Sequence, residues 1–118
     1  MKIRDKIEEL RLRRKGITLL KVSDEALTQY KLTVKGHKND SDLLARKFIT
    51  RNWVLTESNQ KIEFREDKLV SIRNYGNLLM TMNLRTGVII NLENRRGYYK
   101  LNINETKKAE LNKILGLK

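Results

Sequence analysis

The chemistry this chain offers is mostly cationic. In the stretch "NRRGYY" (94–99), Arg95 and Arg96 precede Gly97 at a tight turn. Free backbone N–H groups and two guanidinium forks at such a turn suit a phosphate. A hairpin tip carrying solubilising charge would read the same way, because strand edges and tips often hold such residues. A second cluster, Arg11, Arg13, Arg14 and Lys15, lies in "RLRRK". It suits phosphate contact, and equally the negative C-terminal end of a helix dipole. Lys107 and Lys108 stand at the start of a helical segment, where the dipole alone would favour acids, so an anion site is expected there. Tyr98 is placed to stack a base, and Arg73 and Lys100 fall on the polar side of strands, where they could neutralise phosphates.

Catalytic chemistry is thin by comparison. His37, in "KGHKND", is the sole histidine, and a lone loop histidine reads more readily as polar surface than as a general base. "EDK" (66–68), with Asp40 or Asp42 upstream, fits the acid–x–Lys fragment of metal-dependent nucleases. That fragment is short and common, and here it falls in a turn rather than along a strand. There is no P-loop, dinucleotide fingerprint or nucleophile elbow. With no cysteine, neither disulfides nor thiolate metal sites can form. The expectation is a non-enzymatic protein with no metal and no cofactor.

The 118 residues carry a formal net charge of +12, and a strongly basic small domain usually meets polyanions. The excess sits at the two ends. Residues 1–22 hold eight Lys/Arg against three Asp/Glu, and residues 94–118 hold seven against two. The 71 residues between are nearly neutral, with eleven Lys/Arg against nine Asp/Glu. If the ends meet in space they form one patch; otherwise they form two weaker ones.

A single domain is expected over 1–118. The start, "MKIRDKIEEL", lacks the apolar core of a secretory signal, and runs such as "LLM" and "VII" are too short to span a bilayer. The plain reading is a soluble, cytoplasmic protein. Residues 2–15 predict a helix with Ile3, Ile7 and Leu10 on one face, stopped by Gly16. Residues 17–23 and 27–34 predict a hairpin, the second strand alternating Tyr30, Leu32 and Val34 with polar residues; a helix capped by Ser23 is the competing reading. Ser41 caps a short middle helix through Arg51. From Trp53 the period changes to two, and six short strands follow with Gly/Asn/Asp punctuation, the last of them "YYKLNIN". A helix capped by Asn104, with Ala109, Leu111, Ile114 and Leu115 apolar and Gly116 as its stop, ends the pattern. Trp53, Met80 and Met82 are read as core.

The fold class is therefore α+β: an antiparallel β-meander, curved and either open or barrel-like, with an N-terminal, a short middle and a C-terminal helix. Five apolar rows are expected to pack together under the helices: Ile62 and Phe64; Val70 and Ile72; Leu78, Met80, Met82 and Leu84; Val88, Ile90 and Leu92; Tyr99, Leu101 and Ile103. The opposite face would hold Lys61, Glu63, Arg65, Ser71, Arg73, Thr81, Asn83, Asn91, Tyr98, Lys100 and Asn102, with Leu79 and Ile89.

Two functions follow as expectations. The first is nucleic-acid binding, to DNA or RNA, phosphate-directed and of low sequence specificity, through Arg11, Arg13, Arg14, Lys15, Arg73, Arg95, Arg96, Tyr98, Lys100, Lys107 and Lys108. The second is an inhibitor or adaptor of phage or mobile-element origin that lays its basic surface on an acidic protein surface, such as the nucleic-acid groove of an enzyme. No membrane partner is expected, because the N-terminal helix has a narrow apolar face and no aromatic anchors. An exposed sheet edge could pair two copies into a homodimer.

Overall fold

The computed structural model describes residues 3–95 and 101–117. In chain order they form α1 (Ile3–Arg14), β1 (Lys21–Val22), α2 (Asp24–Thr33), α3 (Asp42–Leu55), a 3-10 turn (Glu57–Asn59), β2 (Lys61–Arg65), β3 (Lys68–Tyr75), β4 (Leu78–Asn83), β5 (Val88–Asn94) and α4 (Glu105–Leu115). The fold is α+β, with one open mixed sheet in the order β1-β5-β4-β3-β2. β2 to β5 form the antiparallel meander, and the two residues of β1 add a parallel strand beside β5. The sheet does not close into a barrel.

The expected terminal helices form, each with its signals in place. Gly16 adopts φ +84° just past α1. Asn104 accepts the Lys107 N–H at 3.0 Å, and Gly116 ends α4 in the left-handed conformation. The expected hairpin over 17–34 does not form. Ser23 instead accepts the Ala26 N–H at 3.1 Å and starts α2, so the competing helical reading is the observed one. Ala26, Leu27 and Tyr30 then share a helical face in the core, and Leu32, one of the supposed strand residues, is 71% exposed. The middle helix is also longer than expected. α3 runs to Leu55 and absorbs the segment read as the first strand after Trp53, which is itself core. In the last expected strand, 98–100 lie outside the described residues, and 101–104 form no strand.

Two cores lie on the helical side of the sheet. One joins Ala26, Leu27, Tyr30, Ala45, Ile49 and Trp53 to Leu78, Met80, Met82, Ile89 and Leu92. The other joins Leu12, Ile17, Leu19 and Leu55 to Leu111, Leu115 and Leu117. Of the expected rows, the β4 residues Leu78, Met80 and Met82 pack there as read. Val70 and Ile72 are buried on the opposite face, in a small cluster with Leu79 and Ile90. Val70 pairs with Asn83 and Ile72 with Thr81, so β3 is in the reverse phase and Ser71 and Arg73 face the helices. A β-bulge explains the β5 error. Thr81 pairs with Asn91 but Met82 with Ile89, which leaves Ile90 as the extra residue and turns Ile89 inward. Ile62 and Phe64 remain 53% and 75% exposed, because β2 is the edge strand beyond the helices' cover.

The "EDK" segment has a structural role. Glu66 and Asp67 both take positive φ (49° and 64°) as the two central residues of the β2–β3 hairpin. That is the geometry of a type I′ turn, for which Asn-Gly is the best sequence and Glu a poor one. The double substitution Glu66→Asn/Asp67→Gly is expected to raise unfolding stability by about 1 kcal/mol. Urea denaturation would check this, and a drop in the midpoint would refute the turn assignment.

Candidate nucleic-acid interface

The C-terminal end of α1 meets the C-terminal end of α4. Arg11 donates from Nη2 to the Ile114 carbonyl at 3.0 Å. Leu12, fully buried, packs in one cluster with Leu111, Leu115 and Leu117. α1 therefore lies against the C-terminal end of α4, and the Arg13, Arg14 and Lys15 side chains are exposed beside that seam. None of the three has an ion-pair partner among the described residues.

The acids of α1 are turned inward, which concentrates this charge. Glu8 pairs with Lys47 at 3.1 Å and with Arg11 at 2.6 Å. Glu9 Oε1 lies 2.8 Å from Arg46 Nη2, close enough for an ion pair though not aligned as a hydrogen bond. The Arg46 Nε–H donates to the Leu20 carbonyl. Asp5, Glu8 and Glu9 are half-buried, and the outward side of α1 is left to Arg4, Lys6, Arg13 and Arg14 with Ile3, Ile7 and Leu10. The apolar stripe read from the sequence is real, but it points to solvent; Leu12 is the residue that enters the core.

The other expected contacts scatter. Lys107 and Lys108 lie in the first turn of α4, at the far end of that helix from Arg11, and Lys108 Nζ sits 5.8 Å from the centre of the Tyr75 ring. Arg95 is exposed and lies 3.6 Å from Glu93. Its backbone N–H is bonded to the Asn77 carbonyl at 2.8 Å. Arg96, Tyr98 and Lys100 lie outside the described residues. Arg73 is placed differently from its expected position on a polar sheet face. Its guanidinium stacks 4.1 Å above the Trp53 ring and donates to the Trp53 carbonyl and to Gln60 Oε1. Burial lowers its pKa, with Glu57 opposing the shift. This side chain closes α3 onto β3 and is not offered to a ligand.

A cleft that the sequence reading did not find lies between the two cores. Tyr30, Val34, His37, Phe48, Arg51, Asn52, Tyr75, Asn77, Leu78 and Asn94 line a volume of about 370 Å³. Arg51 is only 9% exposed. Its Nε and Nη2 donate to Asn52 Oδ1 and its Nη1 to Asn112 Oδ1, at 2.9–3.1 Å. Its charge faces the Phe48 and Tyr75 rings. His37 sits between Tyr30 and Phe48 and holds Asp40 on Nδ1 at 2.5 Å, so it is a fixed wall rather than loop surface. Burial, with Asp40 adding, pushes the Tyr30 phenol up, which keeps its hydroxyl proton; the Arg51 charge pulls the other way. No sequence signal marks this set, since its members come from five separate elements and turns.

A model of the family described as YorE matches residues 20–114. The chain belongs to the YorE family. No curated protein and no solved structure gives a significant match. The stretch matching the YorE model runs from just before β1 to the last turn of α4, so it includes every residue of the cleft and leaves α1 outside. Among the described residues no helix is long and apolar enough to cross a membrane.

Glu8 gives α1 a pH dependence. The Arg11 hydrogen bond holds the Glu8 carboxyl at about 2, against its ordinary 4.5, with burial opposing and Lys47 reinforcing. A depressed folded pKa means that the stabilisation is complete above the unfolded pKa and is lost as pH falls through the folded one. The Glu8 pairs should thus contribute in full above about pH 4.5 and weaken progressively toward pH 2, and only the Lys47 contact among them ties α1 to α3. Hydrogen exchange of the α1 amides across that range would check this. Unchanged protection down to pH 2 would show that the Glu8 pairs do not hold the helix.

Proposed function

We propose that the protein is a small non-enzymatic nucleic-acid-binding protein, phosphate-directed and of low sequence specificity. The observation that carries this reading is the seam between α1 and α4. The C-terminal ends of α1 and α4 are brought together there, Glu8 and Glu9 of α1 pair with Lys47 and Arg46 of α3, and Arg13, Arg14 and Lys15 are left exposed and unpaired among the described residues. Clustered cations of this kind release counterions from a phosphate backbone and carry no base preference of their own. Lys107 and Lys108 add a separate cationic point at the other end of α4. Membership of a phage-like family is in keeping with an accessory protein acting in the cytoplasm of an infected host.

A second reading rests on a different observation. Ile3, Ile7 and Leu10 are 79%, 63% and 53% exposed on one face of α1, bracketed by Lys6, Arg13 and Arg14. Phosphates make no use of such aliphatic residues, whereas an acidic protein surface with an apolar seam would. Under this reading the protein is an inhibitor or adaptor for an acidic partner.

Fluorescence anisotropy with labelled single- and double-stranded DNA and RNA, at low and at physiological salt, separates the two. Nucleic-acid binding should weaken steeply with salt. Arg13→Ala/Arg14→Ala/Lys15→Ala should weaken it about tenfold or more at low salt and flatten the salt dependence by up to about 3 in log–log slope. These side chains are exposed, so the fold should be unaffected. No binding at low salt to any of the four probes would rule out the nucleic-acid reading. A one-to-one protein complex abolished by Ile7→Asp would then support the adaptor.

A further inference from the structure

We infer that the cleft around Arg51 is a pocket for a single nucleotide, with its phosphate on Arg51 and its base against the aromatic and amide walls. This rests on the nucleic-acid reading, to which it would add a base-contacting element.

The argument starts from a comparison of two buried arginines. Arg46 and Arg51 are both on α3 and are 6% and 9% exposed. Arg46 has a carboxylate, Glu9, at 2.8 Å. Arg51 has none within ion-pair distance among the described residues. It is held by the carbonyl oxygens of two neutral amides, Asn52 and Asn112. These fix the guanidinium in place without neutralising it. They use three of its five N–H groups, so two donors and a full charge remain. A buried charge normally has an ionic partner, and an anion from outside would supply one here. An oxyanion that accepts two N–H bonds at once, as phosphate does, is the matching group.

The remaining walls decide what the anion is attached to. Tyr75 and Phe48 line the cleft with ring surface, next to the guanidinium that faces them, against which a flat heterocycle can lie. The Asn77 side chain makes no hydrogen bond among the described residues. Asn94 donates from Nδ2 to the Thr33 carbonyl, which leaves its Oδ1 free to accept. Side-chain amides of this kind pair with the edges of bases. The Tyr30 hydroxyl, kept protonated by burial, adds a donor. Lys108 over the Tyr75 ring and Arg95 beside Asn77 make the rim basic. A volume of about 370 Å³ lies at the small end of ligand pockets and suits one nucleotide rather than a stacked run of bases. A free end or an unpaired base of a strand could enter it, whereas a base within a duplex could not.

The test is a 15N-resolved NMR titration of the full chain with AMP, GMP, CMP and UMP separately, with inorganic phosphate, and with a short single-stranded oligonucleotide. At least one mononucleotide should shift the Arg51 Nε–H and the Asn77 and Asn94 side-chain amides in a saturable way. The affinity should fall tenfold or more in Asn77→Ala, an exposed position where the fold is not at stake, and be lost in Arg51→Met. If no mononucleotide moves these signals while the oligonucleotide binds in a salt-dependent manner, the pocket is refuted and the strand-binding reading stands. If mononucleotides bind here but oligonucleotides do not bind at all, the pocket stands and the strand-binding reading falls. Equal affinity for inorganic phosphate and for every mononucleotide would overturn the assignment of a nucleotide.

Discussion

The arrangement depends on α3 being buried on two sides at once. Ala45, Ile49 and Trp53 enter one core, and Leu55, with Leu44, Phe48 and Val54, borders the other. A helix enclosed in this way cannot keep its polar residues in water, and Arg46, Thr50, Arg51 and Asn52 are all buried. Such groups need partners, since an unpaired buried polar group is destabilising by about 1–3 kcal/mol; Asn52 takes Arg51 of the same helix, and the others reach neighbouring elements. Those partners place much of the fold. Thr50 accepts the Leu20 N–H and fixes the approach to β1. Arg46 reaches both Leu20 and Glu9 and orients α1. Arg51 reaches Asn112 and ties in α4. Arg73 completes the set from the sheet side, on the Trp53 carbonyl and ring.

The same demand separates charge across the molecule. Because α3 presents Arg46 and Lys47 toward α1, it is the acids of α1 that turn inward, and the cations and the aliphatic stripe that turn out. The basic surface is thus a by-product of how the helices are held, as well as of composition. The hydrogen bond from Arg11 to the Ile114 carbonyl also sets a cation against the negative end of α4, so one side chain serves docking and dipole together. Arg51 differs in kind: its partners are neutral, and its charge stays with the cleft.

Much of this architecture was legible in the sequence where local chemistry decided it. Ser41, Asn104, Gly16 and Gly116 mark helix ends through caps and positive φ, and the structure keeps all four. The α2 region was ambiguous because Tyr30, Leu32 and Val34 alternate while Ala26, Leu27 and Tyr30 also fit a helical face; only the Ser23 cap favours the helix. In β3 the alternation correctly marked Val70 and Ile72 as buried but placed them on the wrong side, since a period of two does not say which face has the helices. The bulge at Ile90 leaves no mark in "VIINL". The cleft was invisible for a plainer reason. Arg51, Tyr75 and Asn94 become neighbours only through tertiary packing, and an arginine beside an asparagine in a helix gives no hint that both are buried.

The two edges of the sheet are unlike, and this limits how copies of the molecule could associate. The β5 edge is closed: β1 pairs with Val88 and Ile89, Gln29 of α2 bonds the Leu92 N–H, and Asn94 is tied to Thr33. The β2 edge has no strand beside it and carries Lys61 and Arg65 next to the exposed Ile62 and Phe64. A two-residue edge strand at β1 is a poorer template for strand pairing than the five residues of β2. Strand pairing between copies would therefore favour a two-fold pair of β2 edges over an open filament.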